Sequence, residues 1–298
     1  MSLAVLHWLT DPWAQSLGRR ALLEVILLGV AGGTLGCWLV FYNLAYSAES
    51  LAHSLLPGLV GAALLGVPLL LGGAAGLLVG AVAVALAARI EGIGHDTAVA
   101  VVVTGLFGLG VLLALSPETP AGLQGLLFGD VLGVSDTDLG LAAGLVVVLL
   151  VVLWIGHDRL LIVGFDRLTA PALGVRPFGV DIALLVLLAA TLLVAVQGLG
   201  NLLVVAVLIA PASAARLVTR RMAPMLVVSA AVAVLGGVGG IYLSYHAGTA
   251  AGASIAVVLV AVYLVAAGTA GRFPRRTLSL GRDRTSRAPR NAQSRGRR

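Results

Sequence analysis

Glu49 and His53 stand four residues apart in the run Ser47-Ala48-Glu49-Ser50-Leu51-Ala52-His53-Ser54-Leu55-Leu56-Pro57-Gly58. That spacing places a carboxylate and an imidazole on one face of a helix. Together they make half of a site for a borderline divalent cation such as zinc, manganese or iron. The same pair could also be an inert Glu–His hydrogen bond at a helix start, and spacing alone leaves both readings open. Pro57 removes one backbone donor and Gly58 loosens packing, a combination that bends helices beside a pathway. The other ionisable residues have plainer readings. Asp96 precedes an apolar run and suits an N-cap, with His95 exposed beside it. Glu24 near the start of the first helix suits the positive end of a helix dipole. His157-Asp158 closes a span at the inner edge, and His246 lies near the opposite mouth. Asp166 sits in a polar stretch among Arg159, Arg167 and Arg176, where a solvated loop is the ordinary expectation.

The elements that must position these residues are membrane helices. Of 298 residues 59% are hydrophobic and 11% charged, with a mean hydropathy of +1.06; soluble domains carry about 25% charge. Too little polar surface remains for a water-soluble globule, which excludes disordered, coiled-coil and disulfide-framework chains. A span of about 20 apolar residues crosses a hydrocarbon core of about 30 Å. The sequence predicts nine: 21–43, 54–71, 73–89, 97–115, 139–157, 178–196, 201–219, 223–243 and 252–270. The first is no cleaved signal, because its apolar run is too long and further spans follow. Ala121 to Val134 is too short to cross and reads as a re-entrant or broken helix. The fold class is therefore all-α, a polytopic membrane bundle of about nine helices with one short re-entrant segment. It divides into an interfacial segment 1–20 holding Trp8 and Trp13, a transmembrane body 21–270 and an Arg-rich tail 271–298.

All 19 basic residues are Arg, and ten lie in that tail beside the single acid Asp283. The remaining 270 residues hold nine Arg and twelve acids, so the high isoelectric point belongs to an appendage and gives no reason to expect nucleic-acid binding. The tail lacks an apolar period and reads as disordered, cytoplasmic and attracted to anionic lipid. Nine spans with the tail inside place seventeen Arg inside and two, Arg19 and Arg20, outside; ten spans would place eighteen inside. Span length favours nine. The 39 Gly cluster as Gly72-Gly73, Gly236-Gly237 and Gly239-Gly240 within apolar runs, the composition of close helix packing in lipid, with a hinge as the other reading.

Glu49-x-x-x-His53-Ser54-x-x-Pro57-Gly58, following a first span that ends in Gly-x-x-Leu-Val, resembles the zinc/manganese-type permeases of ABC importers, the third family of such membrane subunits. The likeness continues in order through Arg89-Ile90-Glu91-Gly92-Ile93-Gly94-His95-Asp96-Thr97-Ala98, Leu127-Phe128-Gly129-Asp130, Asp166-x-x-x-Ala170-x-x-x-Gly174, Gly200-Asn201-Leu202-Leu203, Leu208-Ile209-Ala210-Pro211-Ala212-Ser213-Ala214-Ala215 and Leu243-Ser244-Tyr245. It covers nearly the whole chain up to about residue 268. The resemblance implies a channel half for a divalent metal, Glu49 and His53 as its metal residues, and a loop at Asp166, Ala170 and Gly174 that docks on an ATPase. It implies a second permease copy or a related permease, separate ATP-binding subunits, an extracytoplasmic metal-binding protein and the bacterial plasma membrane. No cofactor is expected to be permanently bound; the metal is cargo. Members of the family usually have Asp where this chain has Glu49, and Phe41-Tyr42-Asn43 replaces an Arg pair frequent after the first span.

The chain has no Lys at all, so it cannot supply the phosphate-binding Lys of a P-loop, and no nucleophile-elbow or His-Glu-x-x-His motif occurs. No enzyme activity is expected of it. The competing readings are a siderophore or corrinoid permease, a secondary transporter using Glu49 and His53 as a proton relay, and a non-transporting scaffold that presents its Arg tail to lipid.

Overall fold

The structure, a computed structural model, describes residues 16–87, 95–117, 129 and 133–270. Among these residues it is all-helical: α1 Ser16–Phe41, α2 Ala45–Leu65, α3 Leu69–Ala87, α4 His95–Ala114, α5 Asp136–Ile155, α6 His157–Phe165, a 3-10 turn Ala170–Leu173, α7 Pro177–Leu199, α8 Asn201–Val218, α9 Met222–Ala247 and α10 Ala251–Ala270. Six helices, α1, α2, α5, α7, α9 and α10, are long and apolar enough to cross a membrane. Three shorter apolar helices, Leu69–Val84, Val99–Ala114 and Leu203–Val218, run beside them. By length and composition these helices suit a multi-pass membrane protein. The tail 271–298, residues 1–15 and most of the segment Ala121 to Val134 expected to be re-entrant lie outside the described residues.

Helix α1 is the axis of the bundle. Its 26 residues reach about 39 Å, and Leu22, Leu28, Leu35, Trp38 and Leu39 are fully buried against α5, α7, α8 and α9. A helix buried all round needs small residues wherever a neighbour's backbone crosses it. Gly33 is such a point: a Cβ there would come within 2.8 Å of the Ala230 Cα and the Ser229 carbonyl. Ser229 Oγ uses this closeness to donate to the Gly33 carbonyl at 2.7 Å. Gly36 lies equally tight against the Leu208 carbonyl of α8. Gly236, Gly237 and Gly240 meet Leu259, Val25 and Ile255, so these glycines serve packing. Overfilling a tight contact costs about 1–3 kcal/mol. Gly33→Leu is therefore expected to lower the melting temperature of the detergent-solubilised protein well below that of Gly144→Ala, where a Cβ meets open space.

A second group, α2 with α3 and α4, packs through Gly58, Gly72, Gly76 and Gly80, each set against the backbone or Ser54 of a facing helix. Short links force neighbouring helices to alternate in direction. Gly66 (φ 69°, ψ 23°) ends α2 and returns its N–H to Ala62 and Ala63, Pro68 starts the reversal, and Gly200 (φ 76°, ψ 158°) joins α7 directly to α8. Only Gly adopts these angles cheaply. The expected spans 54–71 and 73–89 are corrected here: hydropathy runs smoothly through Gly66-Val67-Pro68, but a left-handed Gly followed by Pro stops a helix. The second helix therefore runs 45–65 and takes Glu49 and His53 into its body. The first helix likewise begins at Ser16 rather than residue 21. Glu24 is its ninth residue, beyond the first turn where a dipole acts. It is buried against Gly198 of α7, with Oε2 unpartnered among the described residues.

Candidate functional site

Asn43 in a left-handed conformation (φ 58°) closes α1, with Leu44 N–H donating to the Leu39 carbonyl at 2.7 Å, and one residue later α2 begins. Glu49 and His53 lie on its second and third turns. They form one wall of a cleft of about 580 Å³, whose other walls are Ile209, Ala210 and Ser213 of α8 and Tyr263 of α10. His53 Nε2 stands 4.0 Å from Glu49 Oε1, with the Glu49 side chain half exposed and the His53 side chain mostly covered. Four ångströms is too long for a hydrogen bond, so the inert bonded pair is not what this helix presents. Two ligands about 2.1 Å from a tetrahedral ion lie about 3.4 Å apart, a gap that a small side-chain rotation closes. The His53 ring packs edge-on against Phe107 of α4 at 4.8 Å, and Nδ1 is buried without a partner among the described residues. Pro57 lies inside α2, where its ring removes the amide that would hold the His53 carbonyl.

No cluster of three or more His, Cys, Asp or Glu that could hold a metal occurs among the described residues. A metal ion held by Glu49 and His53 would therefore need water or another chain to complete its coordination sphere. The cleft residues Ile209, Ala210 and Ser213 belong to the run Leu208 to Ala215, which the sequence marked only through resemblance. Their i, i+4 spacing around Pro211 was the available signal. His157 is corrected from a span end to the first residue of α6, because Gly156 breaks the helix; its ring meets Trp38 at 5.4 Å. His246 packs on Tyr245 at 5.2 Å, at the end of the bundle away from Glu49. Helix α4 does begin beside Asp96, whose side chain lies outside the described residues, as do Arg89, Glu91 and Asp130. Gly129 is placed, with φ 76°, against Gly198 to Gly200.

Asp166, Ala170 and Gly174 come together as the start, body and stop of one small protrusion. Asp166 Oδ1 accepts from the N–H groups of Leu168 and Thr169 at 3.0 Å, and Oδ2 from the Thr169 hydroxyl at 2.5 Å. These bonds, the Thr169 hydroxyl foremost, hold the exposed carboxyl below its ordinary pKa. A depressed acid stabilises its turn at neutral pH, and that contribution fades only as pH falls through the lowered value. Ala170 is fully buried, and Gly174 (φ 76°) closes the 3-10 turn with its N–H toward Ala170 and Pro171. Around this frame Leu168 is 94% exposed and Phe165 and Leu173 project as well. Apolar side chains on a polar, Arg-flanked loop mark a contact surface, and the sequence reading missed all three. Arg167 pairs with Asp181 of α7, fixing the loop to the next helix.

The protrusion is also tied to the start of the cleft helix. Phe41 fills the notch at Gly164 and meets Phe165 at 5.3 Å, while Tyr42 Oη donates to the Leu160 carbonyl at 2.7 Å. Burial, reinforced by Asp181 and opposed by Arg167, pushes the Tyr42 phenol up to about 12, so it keeps its donor proton at any physiological pH. One such hydrogen bond is worth about 1 kcal/mol, about a fivefold shift in an equilibrium. Tyr42→Phe combined with Phe41→Ala is expected to loosen this tie and lower the melting temperature of the detergent-solubilised protein.

The chain is similar to known proteins in sequence and in fold. It is 30% identical over 250 residues to the manganese import system permease protein ScaB of Streptococcus gordonii, covering 83% of this chain and 89% of that one. It is 31% identical over 258 residues to the chelated iron transport system membrane protein YfeD of Yersinia pestis, covering 87% of each. The solved structure of PsaBC from Streptococcus pneumoniae in complex with Fab superposes with a TM-score of 0.82 at 27% identity, over 88% of this chain and 95% of that one. With residues 15–270 matching the ABC 3 transport family throughout, the chain belongs to that family of membrane permeases.

Proposed function

We propose that this chain is the membrane subunit of an ABC importer that carries a divalent metal ion, manganese, iron or zinc, into the cytoplasm past Glu49 and His53. The observation that carries the reading is the carboxylate and imidazole on one face of α2, opening on a cleft shared with α8 and α10. The names of the manganese and chelated-iron relatives support the class of cargo. Energy comes from separate ATP-binding subunits that dock at Asp166, Ala170 and Gly174, and metal arrives from an extracytoplasmic binding protein. A second permease copy faces the cleft and supplies the missing ligands. The metal is cargo and no cofactor is permanently bound.

We further propose nine crossings of the bacterial plasma membrane, with the tail inside. In support, Asp136 at the start of α5 pairs with Arg20 near the start of α1 at 2.8 Å, while Gly110 meets Leu56 and Pro57 and Ala114 clusters with Leu56 and Val60, so the end of α4 lies beside the later half of α2. Leu115 and Ser135 therefore sit at one end of the bundle, which supports an odd number of crossings. Arg159, Arg167, Arg176, Arg216, Arg220 and Arg221 gather at the other end, as a cytoplasmic face requires.

Radiomanganese accumulation by cells expressing the permease, its ATPase and its binding protein tests the assignment. Uptake should vanish when the P-loop Lys of the ATPase is replaced. Uptake that survives that change and follows a proton gradient would instead establish a secondary transporter.

A further inference from the structure

At the Arg-rich end of the bundle α5, α6 and α7 leave a groove of about 530 Å³ between them. Its walls are apolar, with Val152 and Leu153 on α5 and Val180, Ala183 and Leu187 on α7; Arg159 and Arg176 sit at its mouth and no acid lines it. Arg20, Arg167 and Arg216 each have a bonded partner. The Arg159 and Arg176 side chains have none among the described residues.

From Arg176 to Leu187 the groove follows α7 for about 16 Å, the depth of one leaflet of a hydrocarbon core of about 30 Å. Trp154, 81% exposed, lies five residues before Arg159, where an amphipathic ring marks the membrane–water interface. Val147, Val151, Ile155 and Val186 are exposed around it, so this face meets lipid. An apolar slot one leaflet deep, topped by two unpaired guanidinium groups, has the shape and charge of an anionic phospholipid.

We propose that this groove binds one anionic glycerophospholipid of the inner leaflet, its phosphodiester held by Arg159 and Arg176 and an acyl chain lying between α5 and α7. The site does not depend on which ion is transported. Because Gly174, which closes the protrusion, also lines the groove, the bound lipid stands directly beside the proposed ATPase contact and links lipid composition to coupling.

Native mass spectrometry of the purified permease–ATPase complex, exposed to phosphatidylglycerol or to phosphatidylcholine with the same acyl chains, tests the proposal. Wild type should retain one phosphatidylglycerol per permease copy and much less phosphatidylcholine. Arg159→Gln with Arg176→Gln should reduce retention at least about fivefold, since each basic residue near anionic lipid contributes a comparable factor. Gly179→Phe, introduced where a Cβ meets open space, should expel lipid by filling the groove with both Arg intact. Arg220→Gln with Arg221→Gln should change nothing. Equal retention of the two lipids, unchanged retention in the double Arg variant or in Gly179→Phe, or an equal loss in the Arg220/Arg221 control would overturn the site. Loss of the ATPase with phosphatidylglycerol still bound would assign the groove to the partner protein instead and would overturn it too.

Discussion

Glu49→Gln and His53→Ala should each abolish metal accumulation in vesicles that hold the complete importer, while the variant complexes assemble and keep their basal ATPase activity. The size of the effect follows from ligand chemistry. Removing a residue that merely orients a metal ligand costs about 10- to 100-fold in affinity or activity, and removing one of two ligands costs at least that. Glu49→Gln keeps the shape and hydrogen-bonding reach of the side chain, so its loss isolates the charge. Glu49→Asp restores the acid usual in the family and should retain transport, because the half-exposed side chain has room to adjust. Both Glu49→Gln and His53→Ala transporting at the wild-type rate would remove the pair from the pathway.

Placing Asp at both Leu168 and Leu173 is expected to release the ATPase proposed to dock there. These side chains are 94% and 63% exposed on a protrusion outside the bundle, so charging them leaves the fold intact and acts only on whatever covers them. Burying a leucine is worth about 1.5–3 kcal/mol; losing two partly buried contacts of about 1.5 kcal/mol each weakens association about a hundredfold. Copurification of the ATPase should fail, and the melting temperature of the permease alone should not move. Gly174→Trp reaches the same contact through the frame, since φ 76° is strained for any side chain. An ATPase that stays bound and fully coupled in both variants would move the docking surface elsewhere.

Helix existence was legible in the sequence because lipid allows little else: backbone groups must be satisfied within each segment, so apolar runs of span length become helices. The packing glycines were legible for the same reason, since only small residues let backbones meet in lipid. Boundaries were harder. The run from Leu55 to Leu71 is apolar throughout, and only Gly66 and Pro68 say where the chain turns; an average over hydropathy hides two residues. That one error moved Glu49 and His53 from the start of a helix into its body, which alters what they can face. The shared helical face of Glu49 and His53 was readable from spacing, whereas the cleft it opens on was not, because Ile209, Ser213 and Tyr263 are distant in sequence and chemically plain. Asp166, Ala170 and Gly174 showed as a pattern. Its physical meaning, an acid that starts a turn, an alanine buried within it and a left-handed glycine that ends it, needed the folded loop. Glu24 was misread because a carboxylate near a helix start suggests a dipole contact, while the helix in fact begins eight residues earlier.

The central claim is that the metal passes between Glu49 and His53, and a structure of the permease dimer soaked in zinc tests it most directly through anomalous scattering from the ion. The expected result is a peak in the cleft of α2, α8 and α10, about 2.0–2.2 Å from Glu49 Oε and His53 Nε2, lost in His53→Ala. A peak at another set of side chains, with Glu49 and His53 unchanged and 4.0 Å apart, would contradict it.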